Sequence, residues 1–153
     1  MTDLTDLSDL EKRIQVLEDY NAIQQLKHKT WRYYDTQDTE KLLECFTDDI
    51  RVSTAPPASS EMRGKADMAA ALEKVFPVAI ASHQGHGPVI ELTSDTTANA
   101  YWSIDEWYHY FDRGLEWRAK GYYLDEYVKV DGRWYVKSLE VKFQFKETIE
   151  RGR

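Results

Sequence analysis

The sequence predicts an α+β fold, with helices collected in the first half and a meander of strands in the second. Three observations carry this. Leu4, Leu7, Leu10, Ile14 and Leu17 recur at spacings of three and four, the period of an amphipathic helix. From about residue 82 onward, long runs are rich in Val, Ile, Tyr, Phe and Trp. Short turns separate those runs: Ser94-Asp95, Arg113-Gly114 and Asp131-Gly132, the last a strong hairpin signal.

In order, the spacing predicts a first helix over 4–18 with a narrow apolar seam, one that needs a partner surface in its own domain or a neighbouring subunit. A second helix is predicted over 19–36, with Ala22, Ile23, Leu26, Thr30, Tyr33 and Tyr34 on its buried face. A short helix over 39–47 follows, capped by Asp38 or Thr39. Residues 50–53 read as a short strand, 55–60 as a Pro- and Ser-rich loop, 61–63 as a second short strand and 65–78 as a helix. The remaining strands are predicted at 82–93, 96–112, 116–130 and 133–146. There is no repeat, linker or low-complexity tract, so residues 1–153 form one domain.

Composition narrows the function classes. The net charge of −7 argues against nucleic acid, whose phosphates need a basic patch. No apolar run reaches the ~20 residues of a membrane span. The first six residues lack the basic-then-apolar pattern of a signal peptide, and a cytoplasmic protein is the resulting expectation. The single cysteine, Cys45, sits in an apolar pattern and reads as core. Aromatic residues make up 13%, with ten Tyr and five Trp, which suits a pocket or a subunit interface as well as an aromatic core. No Cys/His set has metal spacing, and no Gly-rich phosphate loop or recognisable nucleophile is present, so neither metal nor cofactor is expected.

What remains is acid–base chemistry. His83 sits where a strand begins, and histidine is the side chain whose unperturbed pKa lies near neutrality. Asp35 falls at the C-terminal end of its helix, where a carboxylate opposes the helix dipole and wants a compensating partner. The alternatives are a surface or capping histidine and an ordinary turn aspartate. In the strand over 96–112, alternation puts Ala98, Ala100, Trp102, Ile104, Glu106, Tyr108 and Tyr110 on one, more apolar, face. Glu106 within that face is a carboxylate that must be paired, or else lie near an open rim. His83 and His86 are three apart and point to opposite faces of a regular strand, so they do not form a metal clamp; a bulge at Gly85 would change that.

Three stretches together resemble the SnoaL-like branch of the NTF2-like superfamily. They are the helix carrying Ala22-Ile23-Gln24-Gln25-Leu26 and ending Tyr33-Tyr34-Asp35; Ser82-His83-Gln84-Gly85-His86; and the pair Gly121 to Tyr127 with Asp131-Gly132-Arg133-Trp134. The resemblance covers roughly residues 15 to 146. It implies a cone-shaped barrel in which a curved antiparallel sheet and the helices enclose a deep apolar pocket. Within the branch, the chain is similar to the bile acid 7α-dehydratases and more distantly to the scytalone dehydratases and lindane dehydrochlorinases. Their motif implies Asp35 and His83 as a catalytic pair, Glu106 as a second proton handler and Tyr34 as a substrate-binding residue. Thr30 stands where the bile acid enzymes have a tyrosine, Thr54 where they have an aromatic hydroxyl, and Lys142 is near, but not cleanly at, their late basic residue.

The expectation is a cofactor-independent lyase (dehydratase) or isomerase acting on a hydrophobic, polycyclic hydroxy or keto compound. His83, Asp35 and Glu106 would be catalytic, and Tyr34, Thr30, Trp102 and Tyr108 would bind substrate. The alternative is a non-catalytic small-molecule-binding or assembly module on the same scaffold; a weaker one is a small subunit of a ring-hydroxylating oxygenase. A homo-oligomer, trimer or dimer, is expected from the N-terminal helix and the outward aromatics Tyr101, Trp107 and Phe111.

Overall fold

A computed structural model describes residues 4–54 and 60–151. Helix α1 runs unbroken over Leu4–Asp35, which merges the two helices predicted over 4–18 and 19–36. Nothing between Leu17 and Tyr20 breaks a helix, and a change in which face is apolar is not a terminus. The helix is about 48 Å long at 1.5 Å per residue. On its N-terminal half Leu7, Leu10, Ile14 and Leu17 are exposed. From Asp19 onward it packs on the sheet. Asp19 itself is buried, accepting from Trp134 Nε1 at 2.8 Å and pairing with Lys129 Nζ at 2.5 Å.

The inward face of α1 is rotated from the predicted one. Ile23, Leu26, Lys27, Thr30 and Trp31 are buried, whereas Ala22, Tyr33 and Tyr34 are only partly so. The helix ends at Asp35, and Gln37 adopts a left-handed backbone (φ 58°) that turns the chain. The Gln37 side-chain amide donates to Phe76 O at 3.1 Å and Ala79 O at 2.9 Å. These two bonds tie the end of α1 to the segment over residues 76–79.

Helix α2 is shorter than predicted, Thr39–Leu43, and is capped by Asp38, which accepts from the Lys41 N–H at 3.2 Å. Strand β1 begins sooner, at Phe46, and extends to Thr54. The Thr-Asp-Asp stretch after Phe46 reads as polar helix exit but lies in the strand, because Phe46 and Ile50 are drawn into the core. Most of the predicted 55–60 loop, residues 55–59, lies outside the described residues. Strand β2 (Ser60–Arg63) pairs antiparallel with β1, and α3 follows over Gly64–Val75, ending short of Pro77.

Strands β3 (Ala79–Leu92), β4 (Thr97–Tyr110), β5 (Leu115–Val130) and β6 (Arg133–Glu150) form the antiparallel meander. The β5–β6 turn puts both Asp131 (φ 49°) and Gly132 (φ 79°) in the left-handed region, as a two-residue hairpin demands. The sheet order is β2-β1-β6-β5-β4-β3, joined by a parallel β1–β6 pairing that local pattern does not announce. The six strands make a curved, unclosed sheet, and α1 packs against β3 and β6. The alternation predicted for β4 holds from Ala98 to Tyr108: Ala98, Ala100, Trp102, Ile104, Glu106 and Tyr108 are all buried, while Tyr110 is only half-buried.

Candidate active site

The end of α1 delivers Asp35 to the first half of β3. Asp35 Oδ2 accepts the backbone N–H of His83 at 2.9 Å, and Oδ1 lies 2.6 Å from His83 Nδ1. A carboxylate this close fixes the proton on Nδ1 and leaves Nε2 as the acceptor of the neutral ring. The imidazole is nearly buried, its side chain 4% exposed. Its Nε2 is turned toward the Tyr108 hydroxyl at 3.2 Å and Glu106 Oε1 at 3.9 Å. Tyr34 meets the ring edge-on, with centroids 5.0 Å apart.

Glu106 reaches this group because His83 and Glu106 are directly opposed across β3 and β4. Its buried carboxylate accepts a hydrogen bond from the Tyr123 hydroxyl of β5. The phenols are held neutral. Burial pushes the Tyr34 pKa up to about 12 and those of Tyr108 and Tyr123 well above 10. All three stay proton donors across the ordinary working range.

His83, Tyr34, Tyr108 and Tyr123 border a cavity of about 260 Å³, lined also by Thr30, Trp31, Leu42, Phe46, Met68, Leu72 and Val141. That lies just below the usual range of ligand pockets, about 300–1,000 Å³. A second hollow shares the walls Tyr34, Thr54, Tyr108, Tyr123 and Val141, and adds Glu106, Trp117, Phe143 and Lys146.

The structure thus brings Asp35, His83, Glu106, Tyr34 and Tyr108 together. Thr30 lines the cavity with its hydroxyl donating to the Lys27 carbonyl at 2.7 Å. Trp102 does not line the cavity. It is fully buried behind Trp31, with ring centroids 5.6 Å apart, and its Nε1 donates to Tyr127 at 3.1 Å. Its place on the inward face is right, but Trp31 stands between it and the hollow. Lys142 pairs with Glu140 at 3.3 Å away from both hollows, whereas Lys146 borders the outer one with its ammonium 4.4 Å from the Trp117 ring centre.

Sequence reasoning missed Tyr123, Lys27 and Trp31. Lys27 is fully buried, with Nζ 2.7 Å from Asp125 Oδ2 and 3.8 Å from the centre of the Tyr123 ring. Burial pulls its pKa down, and the Asp125 carboxylate works in the opposite direction. The available signal was positional: Lys27 sits inside the stripe Ile23, Leu26, Thr30, Trp31, where an unpaired lysine has no reason to be.

The bulge in β3 falls between His86 and Val89, at Gly87 (φ 58°), rather than at Gly85. His86 is exposed on the far side from His83. Among the described residues no group of three or more His, Cys, Asp or Glu is placed to hold a metal ion, and no helix is long and apolar enough to cross a membrane.

Comparison with known proteins gives the family and the fold. The profile of the SnoaL-like domain family matches residues 15–140, and the chain belongs to that family. Among solved structures it is similar to a candidate scytalone dehydratase from Novosphingobium aromaticivorans, at 25% identity and TM-score 0.79, covering 92% of this chain and 93% of that one. The fold is shared with the hexachlorocyclohexane dehydrochlorinase LinA-type3 of Novosphingobium barchaimii (17% identity, TM-score 0.79, 90% and 94% covered). It is shared also with a candidate aromatic ring hydroxylase of N. aromaticivorans (20% identity, TM-score 0.80, 87% and 94% covered).

Proposed function

We propose that the protein is a cofactor-independent lyase or isomerase in which His83, oriented by Asp35, moves the proton of a hydrophobic ring substrate. The observation that supports this most is the buried imidazole whose Nδ1 is held 2.6 Å from Asp35 while its Nε2 is turned toward Tyr108 and Glu106. A surface or capping histidine would have none of these constraints. The similarity to a candidate scytalone dehydratase points the same way.

In an elimination, the substrate displaces the Tyr108 hydroxyl from Nε2. Nε2 then takes a proton from the carbon next to the leaving group, and Asp35 stabilises the imidazolium that forms. The electron pair of the broken C–H bond becomes the new double bond as the C–O bond breaks. The departing oxygen takes its proton from a neutral phenol, and the imidazolium restores that proton. In an isomerisation the same Nε2 returns its proton to a different carbon. Tyr34, Thr30 and Tyr108 hold the substrate in place. The cavity suits one or two rings, so a bicyclic β-hydroxy ketone is the natural first substrate.

The test is 3-hydroxy-1-tetralone, whose dehydration yields 1-naphthol and is read by absorbance. Turnover by the native protein and a loss of about 10²-fold or more in folded His83→Ala support the reading. Equal turnover by the two proteins would overturn it, and binding without turnover in a panel of such ketones would favour a binding module.

We also infer a homo-oligomer. Leu10, Ile14 and Leu17 stand exposed along α1, on a part of the helix that its own sheet leaves uncovered. Light scattering on the native protein and on the Leu10→Glu/Leu17→Glu variant tests this; a native monomer ends it.

A further inference from the structure

One wall of the cavity is a tryptophan to which nothing is hydrogen-bonded. Three tryptophans are buried among the described residues. Trp102 donates through Nε1 to Tyr127, and Trp134 donates to Asp19. Trp31 Nε1 is buried without an acceptor. A buried donor left unpaired forfeits its hydration, and such groups are uncommon. A phenylalanine would fill core space without that cost, so the indole is kept at this wall for its size and shape.

Packing alone fixes its place. Trp31 meets Trp102 edge-on and Tyr123 at a tilt, with ring centroids 5.6 and 6.3 Å apart. The six-membered ring of its indole lies against Gly85, where a Cβ would overlap it. His83 pairs with Glu106 and Gly85 with Ile104 in unbroken register, so the two positions share one face of β3. They stand about 7 Å apart along the strand. The indole therefore crosses β3 one side-chain step beyond the imidazole and closes the cavity in that direction. Behind it lie Trp102 and the ammonium of Lys27, the latter 5.2 Å from the ring centre.

We propose that Trp31 is a specificity-determining residue that sets how long a ring system can reach from His83, admitting two fused rings and excluding three or four. The proposal rests on the lyase reading in taking this cavity as the substrate site, and on no step at His83. The cavity volume of about 260 Å³ is what such a floor leaves. Affinity for an open apolar pocket rises with the apolar area that the ligand buries. The floor reverses that order, because a longer ring system has to displace a packed indole.

The test compares 2-naphthol, 9-phenanthrol and 1-hydroxypyrene, which carry one hydroxyl each on two, three and four fused rings. Saturation-transfer NMR detects bound 2-naphthol, and its displacement by the larger phenols gives their affinities at the same site without turnover. The native protein is expected to bind 1-hydroxypyrene at least about ten-fold more weakly than 2-naphthol. Trp31→Leu shortens the floor while keeping an apolar side chain over Lys27. It should bring the two within about three-fold or invert their order. His83→Ala should keep the native order.

A native protein that binds the larger phenols as tightly as 2-naphthol overturns the proposal, as does one that binds none of the three. A folded Trp31→Leu protein with the native order overturns it too. Should that variant not fold, Trp31→Phe decides: a narrowed gap supports the proposal and an unchanged gap overturns it. Turnover of the tetralone without size preference would leave the lyase reading standing and remove this one. Size preference without turnover would do the reverse.

Discussion

Asp35 holds His83 at two points, the ring through Oδ1 and the backbone N–H through Oδ2. One carboxylate thereby fixes both the strand and the rotation of the imidazole. It also answers the question its position raises, since an acid at a helix C-terminus is otherwise unfavourable.

Replacing Asp35 by Asn separates these tasks. The amide oxygen can still accept one N–H, but the negative charge that stabilises the imidazolium is gone. The expected result is a folded protein whose turnover falls by about 10²–10⁴, with substrate affinity changed little. Steady-state kinetics on the tetralone substrate read this; a loss confined to KM would show a merely positional role.

Gln37 joins the end of α1 to the start of β3 through two backbone carbonyls. Gln37→Ala should lower stability by about 1–2 kcal/mol, read by urea denaturation. It should also lower turnover more than that small loss explains, because the Asp35–His83 alignment depends on this junction. Normal activity in the variant would show that the alignment is held elsewhere.

A Cβ on Gly85 would fall within the van der Waals envelope of the Trp31 ring. Gly85→Ala therefore has to push the indole into the cavity or out of its packing. The expected cost is about 1–3 kcal/mol, with weaker binding of ring ligands. Thermal melting and ligand displacement on one sample check both; an unperturbed protein would mean that Trp31 moves freely.

The buried phenols set the alkaline limit. Tyr108, Tyr123 and Tyr127 have folded pKa values raised well above 10 by burial, and Tyr34 is raised to about 12. Above pH 10 the unfolded chain releases these protons and the native one keeps them. Stability from these groups is therefore fully present below pH 10 and is lost as pH rises toward their folded values. Absorbance at 295 nm should show a set of tyrosines that ionise only with unfolding, and a smooth titration of all ten before unfolding would contradict this.

The sequence alone determined the α+β class, the four meander strands and the inward face of β4, because those rest on local period and turn chemistry. It placed Asp35, His83 and Glu106 as site candidates through residue type and position, helped by the resemblance to a known family. It did not give the unbroken α1 or the parallel β1–β6 pairing. The first needs evidence that no helix end intervenes, and the second is a contact between segments nearly ninety residues apart.

Only the tertiary structure decided which side of α1 is buried. Lys27 and Trp31 replaced the expected Ala22 and Tyr33 because the helix packs along a hollow rather than on a flat sheet. The same packing puts Trp31 in front of Trp102. Such placements arise from how layers stack. Spacing along one strand or helix carries no information about what the neighbouring layer presents.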